Sequence, residues 1–437
     1  MHTPIVRGAT RWAIMAGVTS TSDGGIARGL GLLRERDLGR LFTARLVSAF
    51  GSAMAPVAMA FGVLELTGSA TAVGLVIASQ TGAVALFQLL GGALADRGSR
   101  QRLMVAADAL ALTSQAAIAL LFLTGNASVG QLAVLMFVTG TAFALHYPAA
   151  MGLVPLVIDG KRLQSANGLL SLARSGAMAM GAASGGVLVA TLGAGWAMAI
   201  DAVTFGASAV LVASLRPRAQ PRSARTSVVR DLRQGWREFT SHRWLWTVVI
   251  QFSVLLAAYQ ASFAVVGPIV AMRLLGGASD WGWIAGAYGA GLLGGGVVAL
   301  QLRVGRPILV GTLATLAAAL PSLLMAFPAP LLAIATGAFA AGVGWELFIV
   351  LWYTTLQTHV APETLSRVIA YDAVGSMILV PLAQATAGPV VDALGTSHTL
   401  WIAVALIVLP TAAVLAVPEV RTLRARSPSP REFRRAG

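Results

Sequence analysis

The chain has 437 residues, 57% of them apolar and only 11% charged, far below the roughly 25% charged residues of soluble domains. It contains no cysteine, which excludes disulfides, thiol catalysis and thiolate metal sites. The net charge of +14 raises the question of nucleic acid. However, all but three of the 31 lysines and arginines (Arg45, Arg174 and Arg273 are the exceptions) fall in clusters on one side of a membrane crossed twelve times. That is the positive-inside pattern, so no nucleic-acid partner is expected.

Residues 1–40 read as a cytoplasmic N-terminal extension with no convincing cleavable signal peptide. Six apolar runs follow, each long enough to span a bilayer, at 41–66, 71–96, 102–124, 129–157, 165–190 and 195–215. They form a first six-helix bundle over 41–215. Residues 216–242 are a basic cytoplasmic linker, in which Val228, Val229, Leu232, Trp236 and Phe239 recur at helical spacing. That pattern predicts an amphipathic helix on the inner membrane surface. Six further runs, at 243–271, 281–302, 306–327, 329–357, 366–393 and 396–418, form a second bundle over 243–418. A basic cytoplasmic tail closes the chain at 419–437. The fold expected is an all-α membrane protein of twelve transmembrane helices, with both termini cytoplasmic, in the cell's inner (plasma) membrane.

The two halves repeat weakly. Leu192-Gly193 aligns with Leu394-Gly395, and Gly91-Gly92 with Gly294-Gly295. An offset near 200 residues is too long for a solenoid. It implies two pseudo-symmetric six-helix bundles with a binding site between them near the midplane.

Between the second and third runs, Gly92, Asp96, Arg97 and Arg100 stand at the spacing of a loop signature, Gly-x-x-x-Asp-Arg-x-Gly-Arg-Arg/Lys. In this the chain resembles the major facilitator superfamily. The segment from Leu351 to Gln357, with Val360, Pro362, Ser366 and Arg367, is similar to one branch of it. So are Pro381-Leu382, Ala387 to Pro389, Tyr147-Pro148, Pro155 and Ala166-Asn167. That branch holds drug:proton antiporters of the macrolide-efflux and enterobactin-exporter type. The resemblance covers about 40–418. It implies export from the cytoplasm by proton antiport. The chain departs from the pattern in three places. Ala182 stands where the exporter signature of the fifth helix has proline, so Gly181 to Gly186 read Gly-Ala-Ala-Ser-Gly-Gly. No arginine precedes Gly140 in the fourth helix, and the second copy of the loop keeps Arg303 and Arg306 but loses the acid.

The resemblance implies that Gly92, Asp96, Arg97 and Arg100 form a latch between the bundles at the inner face. The alternative for the arginines is positive-inside anchoring. Asp108, three turns further on, is expected as a secondary partner of these arginines. Ionisable groups in the membrane interior are costly and so are functional candidates by default. Glu346 shares a helix face with Gly342, Val350 and Tyr353. A carboxyl there could load and release a proton near neutral pH. It could equally be a structural ion pair or a protonated packing group. Asp372, with Ser376 one turn on, is the second proton-coupling candidate, or else lines the inner mouth of the cavity.

Arg45 and Arg174 could counter these carboxylates or bind an anionic substrate, although Arg45 could simply snorkel to the inner surface. Gln80, Tyr259 and Tyr353 are candidate cavity residues; Gln88, Gln251 and Gln260 offer hydrogen bonds to a ligand or to other helices. Gly181, Gly185 and Gly186 read as close helix packing. Asp201, Glu65 and Asp392 fall near outer helix ends, where interfacial solvation accounts for them. His146 reads as a hydrogen-bonded interior histidine rather than a proton carrier.

No histidines pair at metal-ligand spacing, and no phosphate loop or nucleophile elbow occurs. No metal, cofactor or enzymatic activity is expected. The reading is a secondary transporter working by alternating access, with a small-molecule substrate, protons and membrane lipids as partners. Its cargo would be an amphipathic drug, siderophore or secondary metabolite. One chain supplies both halves of the site, so a monomer is expected to suffice. Uptake or lipid translocation by the same fold is the alternative that Ala182 leaves open. A non-transporting membrane scaffold or sensor is the third reading, and Glu346 and Arg174 count against it.

Overall fold

The computed structural model describes residues 35–158, 163–218 and 228–425. The extension up to residue 34, the basic pair Lys161-Arg162 and the tail from residue 426 lie outside the described residues. The described chain contains twelve helices long and apolar enough to cross a membrane. The first half holds α1 (Arg36–Thr67), α2 (Ala70–Arg97), α3 (Arg100–Leu123), α4 (Val129–Val157), α5 (Leu163–Leu192) and α6 (Ala194–Ala213). A linker helix, α7 (Val228–Ser241), follows. The second half holds α8 (Arg243–Leu274), α9 (Ala278–Gln301), α10 (Pro307–Ala326) and α11 (Leu331–His359). It continues with α12 (Pro362–Met377), α13 (Val380–Leu394), α14 (Thr396–Val414) and the short α15 (Pro418–Thr422).

The turns between helices carry their own chemistry. Ser69, Ser99 and Ser128 cap α2, α3 and α4 by accepting from backbone amides of the first turn, and Gln131 completes a capping box with Ser128. Gly193 (φ 86°, ψ 167°) and Gly395 (φ 81°, ψ 163°) precede α6 and α14 in the same conformation. Only glycine enters that region without strain. The Leu-Gly repeat is thus a repeated corner in space.

Three irregularities were not legible in the apolar runs. A π-turn interrupts α8 at Ser262–Val266, and a 3₁₀ turn interrupts α10 at Thr315–Ala318. The run expected as one helix over 366–393 breaks at Ile378 and Leu379, just before Pro381. Proline has no amide hydrogen and its ring crowds the preceding turn, so the helix restarts there.

Within the first half, α2 packs on α4, α3 on α6, and α1 on both α5 and α6. In the second, α9 packs on α11 and α8 on α14. The halves meet through two equivalent pairs, α5 with α9 and α2 with α13. On the side of the α1–α2 turn, one apolar core runs through both halves, from Met59, Phe61 and Val76 to Val265, Ile269 and Trp281. Towards the linker the core divides. Leu38, Leu41, Met104 and Leu153 belong to one part, and Leu245, Phe348, Trp352 and Leu356 to the other. The halves are therefore joined at one end and separated at the end that carries α7.

Candidate substrate cavity

The gap between the separated ends is a cavity of about 1200 Å³. The first half contributes Gln88, Gly92, Phe143, His146, Tyr147 and Met151, from α2 and α4. The second half contributes Phe252 from α8, Trp345, Phe348, Trp352 and Tyr353 from α11, and Asp372 from α12. The wall is chiefly apolar and aromatic, with a few polar groups converging on it, which is the make-up of small-molecule sites.

The aromatic wall is one packed unit. Phe252 stacks on Phe348 at 4.7 Å and lies 5.1 Å from Trp345, and Phe348 stacks on Trp352 at 5.8 Å. The signal for it was present in the sequence, because Trp345, Phe348 and Trp352 recur at helical spacing. Asp372 is buried at its edge. One carboxylate oxygen accepts from Trp352 Nε1 at 3.1 Å and the other from Ser376 Oγ at 3.3 Å. The indole thus holds the carboxylate while its ring faces the same wall. The α12–α13 break falls next to this site, since Met377 is also a lining residue. Irregular backbone at membrane depth is tolerated where it borders a cavity.

The far side of the cavity is closed by close helix crossings. A Cβ on Gly186 of α5 would fall 2.6 Å from Gly282 Cα of α9, and one on Gly289 would fall 2.7 Å from Ala179 Cα. Gly181 and Gly185 pack the other way, against Ala53 and Met54 of α1. Between α2 and α13, Thr81 Oγ1 donates to Gln384 Oε1 at 2.7 Å and Thr71 Oγ1 to Asp392 at 3.0 Å.

The remaining candidates are spread around this frame. Gly92 borders the cavity, and a Cβ there would meet nothing. Arg97 is exposed, and the side chain of Asp96 lies outside the description. Arg100 Nη1 donates to the Gly152 carbonyl at 2.6 Å, tying α3 to α4. Arg45 donates to the Ala150 carbonyl and ties α1 to α4. Glu346 does not line the cavity; it packs where α9 has only glycine, with its Cβ 2.8 Å from a Cβ built on Gly295. Arg174 of α5 is exposed and within electrostatic reach of both Glu346 and Arg45.

Four expectations need correcting. Asp108 was expected beside the loop arginines, but it is buried between α3, α4 and α6. His146 Nδ1 lies 2.8 Å from one of its oxygens, and Ser208 Oγ donates to the other at 2.7 Å. Eight residues separate it from Arg100, so the helix has carried it along the bundle and turned it inward. Asp201 was read as solvated at an outer helix end, yet it is fully buried and accepts from Gln115 Nε2 at 2.7 Å. Tyr259 was read as a cavity residue, but it is buried behind the wall among Phe263, Tyr288 and Trp345. Gln80 does not border this cavity; its backbone carbonyl is met by Gly140 where α2 crosses α4.

The linker helix docks on the second half. Trp236 and Phe239 of α7 lie 5.4 and 6.0 Å from the ring of Tyr371, and Arg367 donates to Gln234 at 2.7 Å.

The protein family described as "transmembrane secretion effector" matches residues 28–434. The multidrug efflux pump Tap of Mycobacterium tuberculosis is 28% identical over 87% of this chain and 93% of its own length. Macrolide efflux protein A of Streptococcus pyogenes is 21% identical over 88% of this chain and 96% of its own. Among solved structures, the nucleoside transporter NupG superposes with a TM-score of 0.67 at 13% identity, over 87% of this chain and 98% of its own. A bacterial homologue of the human lysosomal transporter Spinster does so at 0.69 and 16%, over 91% and 99%. The chain belongs to the transmembrane secretion effector family and is a multi-pass efflux transporter of the major facilitator superfamily, not an enzyme.

Proposed function

We propose that the protein exports amphipathic small molecules from the cytoplasm in exchange for protons, by alternating access. The observation that carries this reading is the cavity between the halves. It has an aromatic wall for an apolar body, the buried Asp372 for a polar or cationic group, and a far side closed by Gly186 and Gly282. The basic clusters favour placing both termini and the cavity mouth on the cytoplasmic side of the plasma membrane. The relatives named for multidrug and macrolide efflux support a drug-like cargo.

Glu346 and Asp372 are the coupling carboxylates in this reading, with Arg174 as the counter-charge of Glu346. Gly92, Asp96, Arg97 and Arg100 form the inner gate. A proton or a substrate shifts the equilibrium between the two cavity orientations only by its difference in affinity for them. The six-helix halves, 41–215 and 243–418, are the units that move, joined by the linker 216–242.

The test is transport into inverted membrane vesicles containing the protein, with erythromycin and ethidium as probes. Accumulation driven by a proton gradient and collapsed by a protonophore is the expected result. Uptake in right-side-out vesicles and none in inverted ones would reverse the direction assigned here.

A further inference from the structure

Asp108 and His146 are the pair that the account so far leaves without a role. Asp108 is 1% exposed, deep in the first half. A carboxylate at that depth is costly without compensation. Its oxygens receive the Ser208 hydroxyl from α6 at 2.7 Å and face His146 Nδ1 on α4 at 2.8 Å. The histidine is not buried with it. Its side chain is 24% exposed and it borders the cavity. One end of the pair is thus fixed in the bundle while the other reaches the space a substrate would occupy.

This geometry orders the chemistry. His146 Nδ1 lies 2.8 Å from the carboxylate without the alignment of a hydrogen bond, so the two groups meet by proximity and Nε2 is the other ring nitrogen, where a proton can be exchanged. That proton takes the pair from net negative to neutral. The change is large where the surroundings are apolar. It occurs on the wall of the first half, opposite Asp372 on the wall of the second.

Few other charges are placed to substitute for it. On α3, Arg102 lies beyond Arg100, which is engaged with Gly152. On α1, Arg45 is held by the Ala150 carbonyl. On α2 the charged residues are Asp96 and the exposed Arg97, at its end, and on α5 there is Arg174. Asp201 of α6 is held by Gln115. On α4 itself Tyr147 is adjacent, and across the cavity stand Tyr353 and Asp372.

We propose that His146, placed against the buried Asp108, is a proton-binding site of the first bundle whose occupancy biases the opening of the cavity. The proposal rests on the proton-exchange reading above, but its test needs no substrate. The chain has no native cysteine, so a single introduced thiol reports without background. Ala93→Cys places one on the cavity wall. Its labelling by a maleimide, normalised to the denatured protein at each pH, is followed from about pH 5.5 to pH 8.5.

The expected result is a change of about threefold or more across that range, flattened by His146→Gln and shifted in midpoint by Asp108→Asn. If His146→Gln does not fold, Asp108→Asn alone still tests the claim, because an unshifted midpoint overturns it. A response that survives His146→Gln but vanishes in Glu346→Gln also overturns it, while leaving proton exchange intact. No response in any background overturns this proposal and leaves only substrate-driven coupling to the reading above.

Discussion

Gly186 of α5 and Gly282 of α9 meet backbone to backbone, with 2.6 Å between a Cβ built on the first and the Cα of the second. Neither position has room for a side chain in this arrangement. The crossing holds the halves together on the side away from α7, and under the alternating-access proposal it would have to open when the cavity faces the other way. Forcing bulk into a packed contact costs about 1–3 kcal/mol, roughly one to two orders of magnitude in the population of the state that keeps the crossing. Gly186→Leu should cut ethidium export severalfold without loss of inserted protein, and Gly186→Ala should fall between. Wild-type export by the leucine variant would show that the crossing is not needed for closure.

Asp372 is held by Trp352 and Ser376, so Asp372→Asn removes charge while keeping shape. A hydrogen bond to a charged group contributes about 1.5–3 kcal/mol. Efflux of cationic ethidium should therefore drop about tenfold or more, and efflux of a neutral compound such as chloramphenicol should drop less. Trp352→Phe keeps the ring against Phe348 and loses only the Nε1 donor, so its effect should be smaller. Equal losses for both compounds in Asp372→Asn would argue against a contact between this carboxylate and the cargo.

Asp201 and Gln115 belong to the interior of the first bundle and not to the cavity. Asp201→Ala would strand the Gln115 amide, at a cost of about 1–3 kcal/mol for an unmet buried donor. The variant should melt lower in detergent, whereas Asp201→Asn should lose less. Melting unchanged from the wild type in Asp201→Ala would mean that the buried bond contributes nothing.

The docking of α7 rests on the ring of Tyr371 and on the Arg367–Gln234 bond. Aromatic pairs contribute about 0.5–1.5 kcal/mol beyond the area they bury. Tyr371→Ala should raise hydrogen exchange across 228–241 by several fold and leave exchange in α2 and α4 unchanged. Unaltered exchange in the linker helix would place its anchor elsewhere.

The membrane helices were legible because length and apolarity alone define them, and the Leu-Gly corners at Gly193 and Gly395 marked the duplication. What the sequence hid was direction around each helix. Asp108 follows the loop arginines along the chain, yet it turns into the bundle towards His146. Tyr259 has the chemistry of a ligand contact, but its ring is taken up by Phe263 and Tyr288. Asp201 sits seven residues into α6, about 10 Å at the helical rise, far enough inside to need Gln115 in place of water. Ala182 stands where the exporter signature that the sequence resembles has proline, and α5 approaches α9 closely there, with Gly186 Cα and the Ala182 carbonyl both against Gly282.

The most direct test of the central claim is proton release from inverted vesicles on addition of a transported drug, comparing the wild type with Glu346→Gln. Proton exchange through Glu346 predicts release with the wild type and its loss in the variant, with the protein still inserted and still binding the drug. Equal release from both proteins would contradict the role assigned to Glu346, and drug export without proton movement in the wild type would contradict proton coupling itself.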